Sequence, residues 1–190
     1  MADRCITPEF RATWISVFRA ISNKNADGTE SKRKFSVRAA FPPTTDMSML
    51  QTLAGQAAEE KWQGKVPKAL NSPFRRNSDL DNPVPGIGDD WWIMTFSANE
   101  DKFSSRTNLV AADGQPILEE TDVYSGAWFW AEVRPYAYEI SGNRGVSFGL
   151  QNIQKLRDDE PLGGGRAPAS KVFSAIGGGA PGKSAASIFG

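Results

Sequence analysis

The chain has 190 residues, about one domain's worth, with 39% hydrophobic and 23% charged residues, 22 Lys+Arg against 22 Asp+Glu, one cysteine and no histidine. Without histidine there is no Ser-His-Asp triad, no HExxH zinc site and no imidazole general base, and Cys5 alone cannot form a four-cysteine cluster, a CxxC redox pair or an internal disulfide. The zero net charge and pI of 6.3 exclude a uniform basic coat, yet a balanced chain can still concentrate its cations in one groove.

The N-terminal MADRCITPEF lacks the apolar core of a secretory signal, and no apolar run approaches the ~20 residues that span a bilayer. A soluble, unexported protein of a reducing interior is expected, with no membrane partner. From Phe10 to Phe18 a period of two places Phe10, Ala12, Trp14, Ser16 and Phe18 on one face and Arg11, Thr13, Ile15 and Val17 on the other, which predicts a strand. Asp27-Gly28 is a turn pair, and KRKFSVRAAF alternates again until Pro42-Pro43, so the two runs form a long β-hairpin. Asp46, or Thr45, can cap a helix in which Met47, Leu50, Leu53, Ala54, Ala57, Ala58 and Trp62 recur at three- and four-residue spacing, ending near Gly64. The stretch from Lys65 to Asp90, rich in Pro, Asn, Ser and Asp, predicts a long loop, a kind of segment that is usually functional or mobile.

Trp91 to Ala98, Ser105 to Ala111, Gly126 to Ile140 and Gly145 to Ile153 read as further strands, with turn signals at Asp113-Gly114 and Gly142-Asn143. Pro135 marks an edge position or a bulge. The total is six strands and one helix, a mainly-β domain over residues 1–160. Residues 161–190 are dominated by Gly, Ala, Ser and Pro, carry Arg166, Lys171 and Lys183 and contain no acidic residue, the composition of a flexible tail.

Gly177 and Gly182-Lys183-Ser184 match a phosphate-binding loop formally, but only six residues follow, too few for the helix whose N–H groups would hold the phosphates. It is a chance match in low-complexity sequence. The carboxylates Glu59-Glu60, Asp79, Asp81, Asp89-Asp90, Glu119-Glu120 and Asp158-Asp159-Glu160 are the remaining route to catalysis. A metal-dependent nuclease would need several of them gathered on rigid elements, whereas most fall in predicted loops or on the solvated face of the helix. No metal or other cofactor is expected.

The pattern that stands out is aromatic residues interleaved with bases. In Gly126 to Ile140 one face carries Trp128, Trp130, Glu132, Arg134, Tyr136 and Tyr138, and the other carries Ala127, Phe129, Ala131, Val133, Pro135 and Ala137. The second is the natural core face. The first, with Arg144 across the turn, offers rings on which bases stack and cations that neutralise phosphates, an arrangement suited to single-stranded nucleic acid. The competing reading packs Trp128 and Trp130 under the helix or in a dimer interface. Further basic candidates are Lys32-Arg33-Lys34, Lys65, Lys68, Arg75-Arg76, and Lys102 with Arg106 around Phe103, although for each taken singly an ordinary solvated charge is the better reading.

From Asp122 onward the sequence DVYSGAWFWAEVRPYAYEISGNRGVSFGLQNIQKLRDDEPLGGGR resembles a family of phage and prophage proteins related to the single-stranded-DNA-binding replication proteins of tailed bacteriophages. VYSG followed by an aromatic strand and GNRGVSFGLQNIQKLRDDEPLGG is the most specific part. Weaker similarity runs through SVFRA, KFSVRAAFPPTTD, KWQGKVPKALNSPFR and DGQPI, covering nearly the whole chain up to about Arg166. The resemblance implies an oligonucleotide-binding (OB) barrel, five Greek-key strands with a helix. It further implies a non-catalytic protein of the host-cell cytoplasm that coats and protects single-stranded DNA and promotes annealing in phage replication or recombination. Phage replication or recombination proteins and a second copy of the chain are the further partners it leaves open. Relatives end in a strongly acidic tail, and here the tail is basic and glycine-rich.

Overall fold

The computed structural model describes residues 3–22 and 28–162. Asp27 of the expected turn, the tail from 163 onward and the match at Gly177 to Ser184 lie outside the described residues. The described residues form eight strands: β1 (Cys5–Ile6), β2 (Phe10–Ile21), β3 (Lys34–Phe41), β4 (Arg75–Arg76), β5 (Trp92–Asn99), β6 (Leu109–Val110), β7 (Trp128–Ile140) and β8 (Asn143–Arg157). Two α-helices accompany them, α1 (Ser48–Trp62) and α2 (Ser105–Asn108).

The five long strands form a closed circuit. Antiparallel pairing joins β7 to β2, β2 to β3 and β3 to β5, then a short parallel pairing joins β5 to β8, and the β7–β8 hairpin completes the ring. This is the five-stranded barrel that the family resemblance implied, and closure leaves the long strands without free edges. The two-residue strands β1, β6 and β4 extend it, on β7, β8 and β5 respectively.

Phenylalanines fill the interior. Phe10, Phe41, Phe96, Phe129 and Phe148 are fully buried, and the Phe10 ring lies 5.6, 5.9 and 6.2 Å from those of Phe41, Phe96 and Phe129. Phe10 therefore ties the first strand of the barrel to three others. Helix α1 packs Leu50, Ala54, Ala57 and Ala58 inward and rests on β7 and β8, so the helical spacing in the sequence marks its buried face correctly. Its start differs in detail, because Met47 occupies the cap position and the Asp46 carboxylate accepts the Ser48 backbone N–H at 2.9 Å from one residue further out. Left-handed Gln63 ends it just before Gly64.

Three sequence expectations need correction. The run Ser105 to Ala111 is not one strand: the Asn108 carboxamide accepts the Ser104 N–H at 2.9 Å and closes the helical turn α2, leaving only Leu109–Val110 extended. Local side-chain bonding overrides strand propensity there. The expected loop contains β4 and a 3₁₀ turn over Asn77–Asp79, and β1 also went unforeseen, so the total is eight strands rather than six. The third correction concerns β2. Its register against β3 shifts between Ala12 and Trp14, leaving Thr13 as an extra residue, so Phe10 and Ala12 face inward and then Val17 does. Trp14, expected beside Phe10, faces out and is 51% exposed. In β7 no such shift disturbs the alternation from Phe129 to Ala131, and the foreseen core face is buried, with Pro135 on a stretch that pairs only with β8.

Phe10→Ala should cost about 3–5 kcal/mol of unfolding free energy in urea denaturation, since a fully buried ring touching three others leaves a cavity. A loss near that of an exposed residue would show that the barrel is not organised around this ring.

Candidate nucleic-acid interface

The outward face of β2, β3 and β5 follows from their register. Trp14, Arg38 and Thr95 form one row across the sheet, Ser16, Ser36 and Ser97 the next, and Ile21, Lys34 and Asn99 a third. Directly opposed residues in a sheet have their Cβ atoms within about 5 Å of one another, so each row is a contiguous strip. Small hydroxyl side chains make the floor. Above it runs a groove of about 590 Å³, bounded on one side by Trp14, Lys32, Lys34 and Arg38 and on the other by Asn82-Pro83-Val84-Pro85. No carboxylate lines it, and among the described residues Lys32, Lys34 and Arg38 have no ion-pair partner. Arg33, between the two lysines in sequence, points elsewhere, donating to the Ala20 carbonyl and pairing with Glu100 at 3.5 Å.

The 82–85 wall is held by one buried amide. Asn77, 1% exposed, donates from Nδ2 to the carbonyls of Val84 at 3.3 Å and Ile87 at 3.0 Å, and its Oδ1 accepts the Val84 N–H at 2.8 Å. Beneath it, Ile87 packs with Ala40 and Ile93, so the loop is anchored to the outer side of β3 and β5.

The β7 face is arranged differently. Trp128 is a clamp rather than an open platform: its Nε1–H donates to Asp159 at 2.7 Å, the Arg157 guanidinium stacks 4.4 Å from its ring, and Trp91 lies 6.3 Å away. The Trp128 bond and the neighbouring Arg11 and Arg157 hold the Asp159 carboxyl below its ordinary range. Arg11 also reaches the carbonyls of Gly126 and Glu160, fastening residues 158–162 over the β2–β7 seam. Gly126 has φ +117° and a Cβ there would lie 2.3 Å from the Glu160 carbonyl oxygen, so the strap requires glycine at this position.

The other expected site residues are scattered. Trp130, 41% exposed, sits in a shallow hollow with Ile6 and Gln154, beside Glu132, which pairs with Arg4. Arg134 and Tyr136 come together in a cleft beside α1, and Tyr136 is 43% exposed. Tyr138 is half-buried, and Arg144 is paired with Glu139 at 2.8 Å, which holds that carboxyl below its usual range with help from the Trp62 N–H. Arg75 bonds the Asp79 carbonyl at 2.7 Å, while Arg76 lies over the Trp92 ring at 3.3 Å and bonds the Asp90 carbonyl, so both are stitched into the loop. Lys102 and Arg106 are exposed around the buried Phe103. Among the described residues no group of three or more Asp, Glu or Cys side chains could hold a metal ion, and no helix is long and apolar enough to cross a membrane.

Sequence reasoning missed Trp14 and Arg38. Strict alternation places Trp14 on the face of Phe10, and of the groove's residues only Lys32 and Lys34 carry a signal in the sequence.

The sequence matches the family of the ssDNA-binding protein of Enterobacter phage Enc34 over residues 3–180. The chain belongs to that family. The fold agrees. The single-stranded DNA-binding protein of bacteriophage Enc34 in complex with ssDNA superimposes with a TM-score of 0.69 at 15% identity, covering 84% of this chain and 89% of that one. The same phage protein in a second structure gives 0.67 at 16%, covering 90% of each chain. The single-stranded DNA-binding protein gp2.5 of bacteriophage T7 gives 0.53 at 14%, covering 94% of this chain and 99% of that one. At such identities the superpositions speak for the fold alone. No curated protein sequence matches the chain. Membership of this family gives no support to the nuclease alternative.

Asn77→Ala removes three hydrogen bonds from the groove wall. It should lower stability by about 1–3 kcal/mol and expose residues 80–87 to proteolysis while β7 and β8 stay protected in hydrogen exchange. Uniform loss of protection would mean that the wall is not a separate unit.

Proposed function

We propose that this protein binds single-stranded DNA without sequence preference and without cleaving it, along the groove on the outer face of β2, β3 and β5. The observation that carries this reading is the set of cations Lys32, Lys34 and Arg38, without an ion-pair partner among the described residues, around the exposed Trp14 ring in a groove that no described carboxylate lines. The cations neutralise successive phosphates and Trp14 stacks a base, which any base allows because each has a π face. The serine and threonine floor offers hydroxyls to sugar and phosphate without the fixed donor pattern that would select a sequence. Coating of this kind protects exposed DNA and removes its secondary structure during phage replication or recombination in the host cytoplasm.

Of the residues first expected to contact DNA, Trp130, Tyr136, Lys102 and Arg106 stay exposed, Arg134 is partly exposed, and Trp128 supports the fold. Trp14→Ala should therefore weaken binding to oligo-dT by about 1–3 kcal/mol with an unchanged melting temperature, and Trp128→Ala should lower the melting temperature instead. Lys34→Ala and Arg38→Ala should each reduce the slope of log K against log salt by about 0.7. Fluorescence titration at several salt concentrations checks the three binding effects, and thermal denaturation the two melting temperatures. Full affinity in the Trp14, Lys34 and Arg38 variants would place the DNA elsewhere, and cleavage of the oligonucleotide by pure protein with magnesium would overturn the non-catalytic reading.

A further inference from the structure

On the other side of the barrel, α1 and the outer face of β7–β8 enclose a second cleft of about 450 Å³. Its walls carry Lys61 and Arg134, neither of which has an ion-pair partner among the described residues, with the exposed Tyr136 ring between β7 and the helix and the Gln151 carboxamide opposite. The floor is open at Gly149, where an added Cβ would meet nothing closer than 3.6 Å. An accessible ring flanked by two cations and an amide is the equipment for one stacked base and its phosphates. Glu60 at the rim limits the positive charge, so the cleft is the weaker of the two surfaces.

We infer that this cleft is a second single-strand site, which holds another DNA strand while the β2–β3–β5 groove holds the first. The inference rests on the reading of that groove as the first-strand site. Two features favour two strands over one wrapped strand. β7 and β8 lie across the ring from β3, whose neighbours are β2 and β5. At the β2–β7 seam a strand passing from one surface to the other would have to cross the strap of residues 158–162 that Arg11 fastens there. Two strands held on one protomer meet at a raised effective concentration, which accelerates their pairing when they are complementary.

The test uses the full chain and two oligo-dT strands of about 12 nucleotides, within the site size of one such barrel, labelled as donor and acceptor for energy transfer. Wild-type protein should show two binding events per protomer. Arg134→Ala and Tyr136→Ala should keep the melting temperature and the first event within about two-fold and weaken the second by about ten-fold, the effect expected for a lost stacking or phosphate contact. Arg38→Ala should do the reverse. One strand per protomer in wild type, or a second event unchanged in both cleft variants, overturns the inference while leaving the groove reading intact. A first event that falls with Arg134→Ala and survives Arg38→Ala overturns the groove reading itself.

Discussion

One unpaired residue in β2 lets a single strand serve two opposite purposes. Up to Ala12 the strand supplies Phe10 and Ala12 to a barrel interior already crowded by Phe41, Phe96, Phe129 and Phe148. Strict alternation would send Trp14 into the same space, which could not admit an indole without displacing one of those rings. The extra residue at Thr13 shifts the phase, since a slip of one position transfers every following side chain to the other face. Trp14 thereby arrives on the outer surface opposite Arg38, and Thr13 secures the irregularity by donating from its hydroxyl to the Arg38 carbonyl at 3.2 Å. The core and the candidate binding groove both depend on that bulge.

Long periodic segments were legible in the sequence. The face of α1 and the core face of β7 follow from spacing, because burial on one side is what those patterns encode. Ser105 to Ala111 misled because a four-residue cap set by Asn108 outweighs β propensity, and β1 and β4 are too short to leave a periodic trace. The candidate site was less legible than the fold. Aromatic residues beside arginines drew attention to β7, yet composition cannot say that Asp159 occupies the Trp128 N–H or that Glu139 neutralises Arg144. Nor can it say that Asn77, one polar residue in a loop of many, organises a groove wall. Trp128 and Asp159 are 31 residues apart, and even the near pairs Arg144–Glu139 and Asn77–Val84 are set by the path of the turn and loop between them, which composition does not encode.

The balanced charge of the chain is compatible with anion binding because neutralisation is uneven. Carboxylates meet cations where the structure needs closure: Arg11 with Asp159 and Arg157 with Glu9 near the β2–β7 seam, Lys155 with Asp158 at the end of β8, Arg144 with Glu139 at the β7–β8 turn. Arg11 and Lys155 are mostly buried, whereas the Arg144–Glu139 and Arg157–Glu9 pairs are exposed and each contributes little to stability on its own. Their greater effect is on the electrostatic surface, since they cancel the field of the arginines that hold the barrel together. Among the described residues, the cations without an ion-pair partner include the strip of Lys32, Lys34 and Arg38 along the groove and Lys61 and Arg134 in the second cleft, besides Lys65, Lys68, Arg75, Arg76, Lys102 and Arg106. A phosphate chain approaching a protein of zero net charge therefore meets attraction at defined places and near-neutral or repulsive surface elsewhere. Within a screening length of about 8 Å at physiological salt, that local pattern and not the total charge decides where the strand settles.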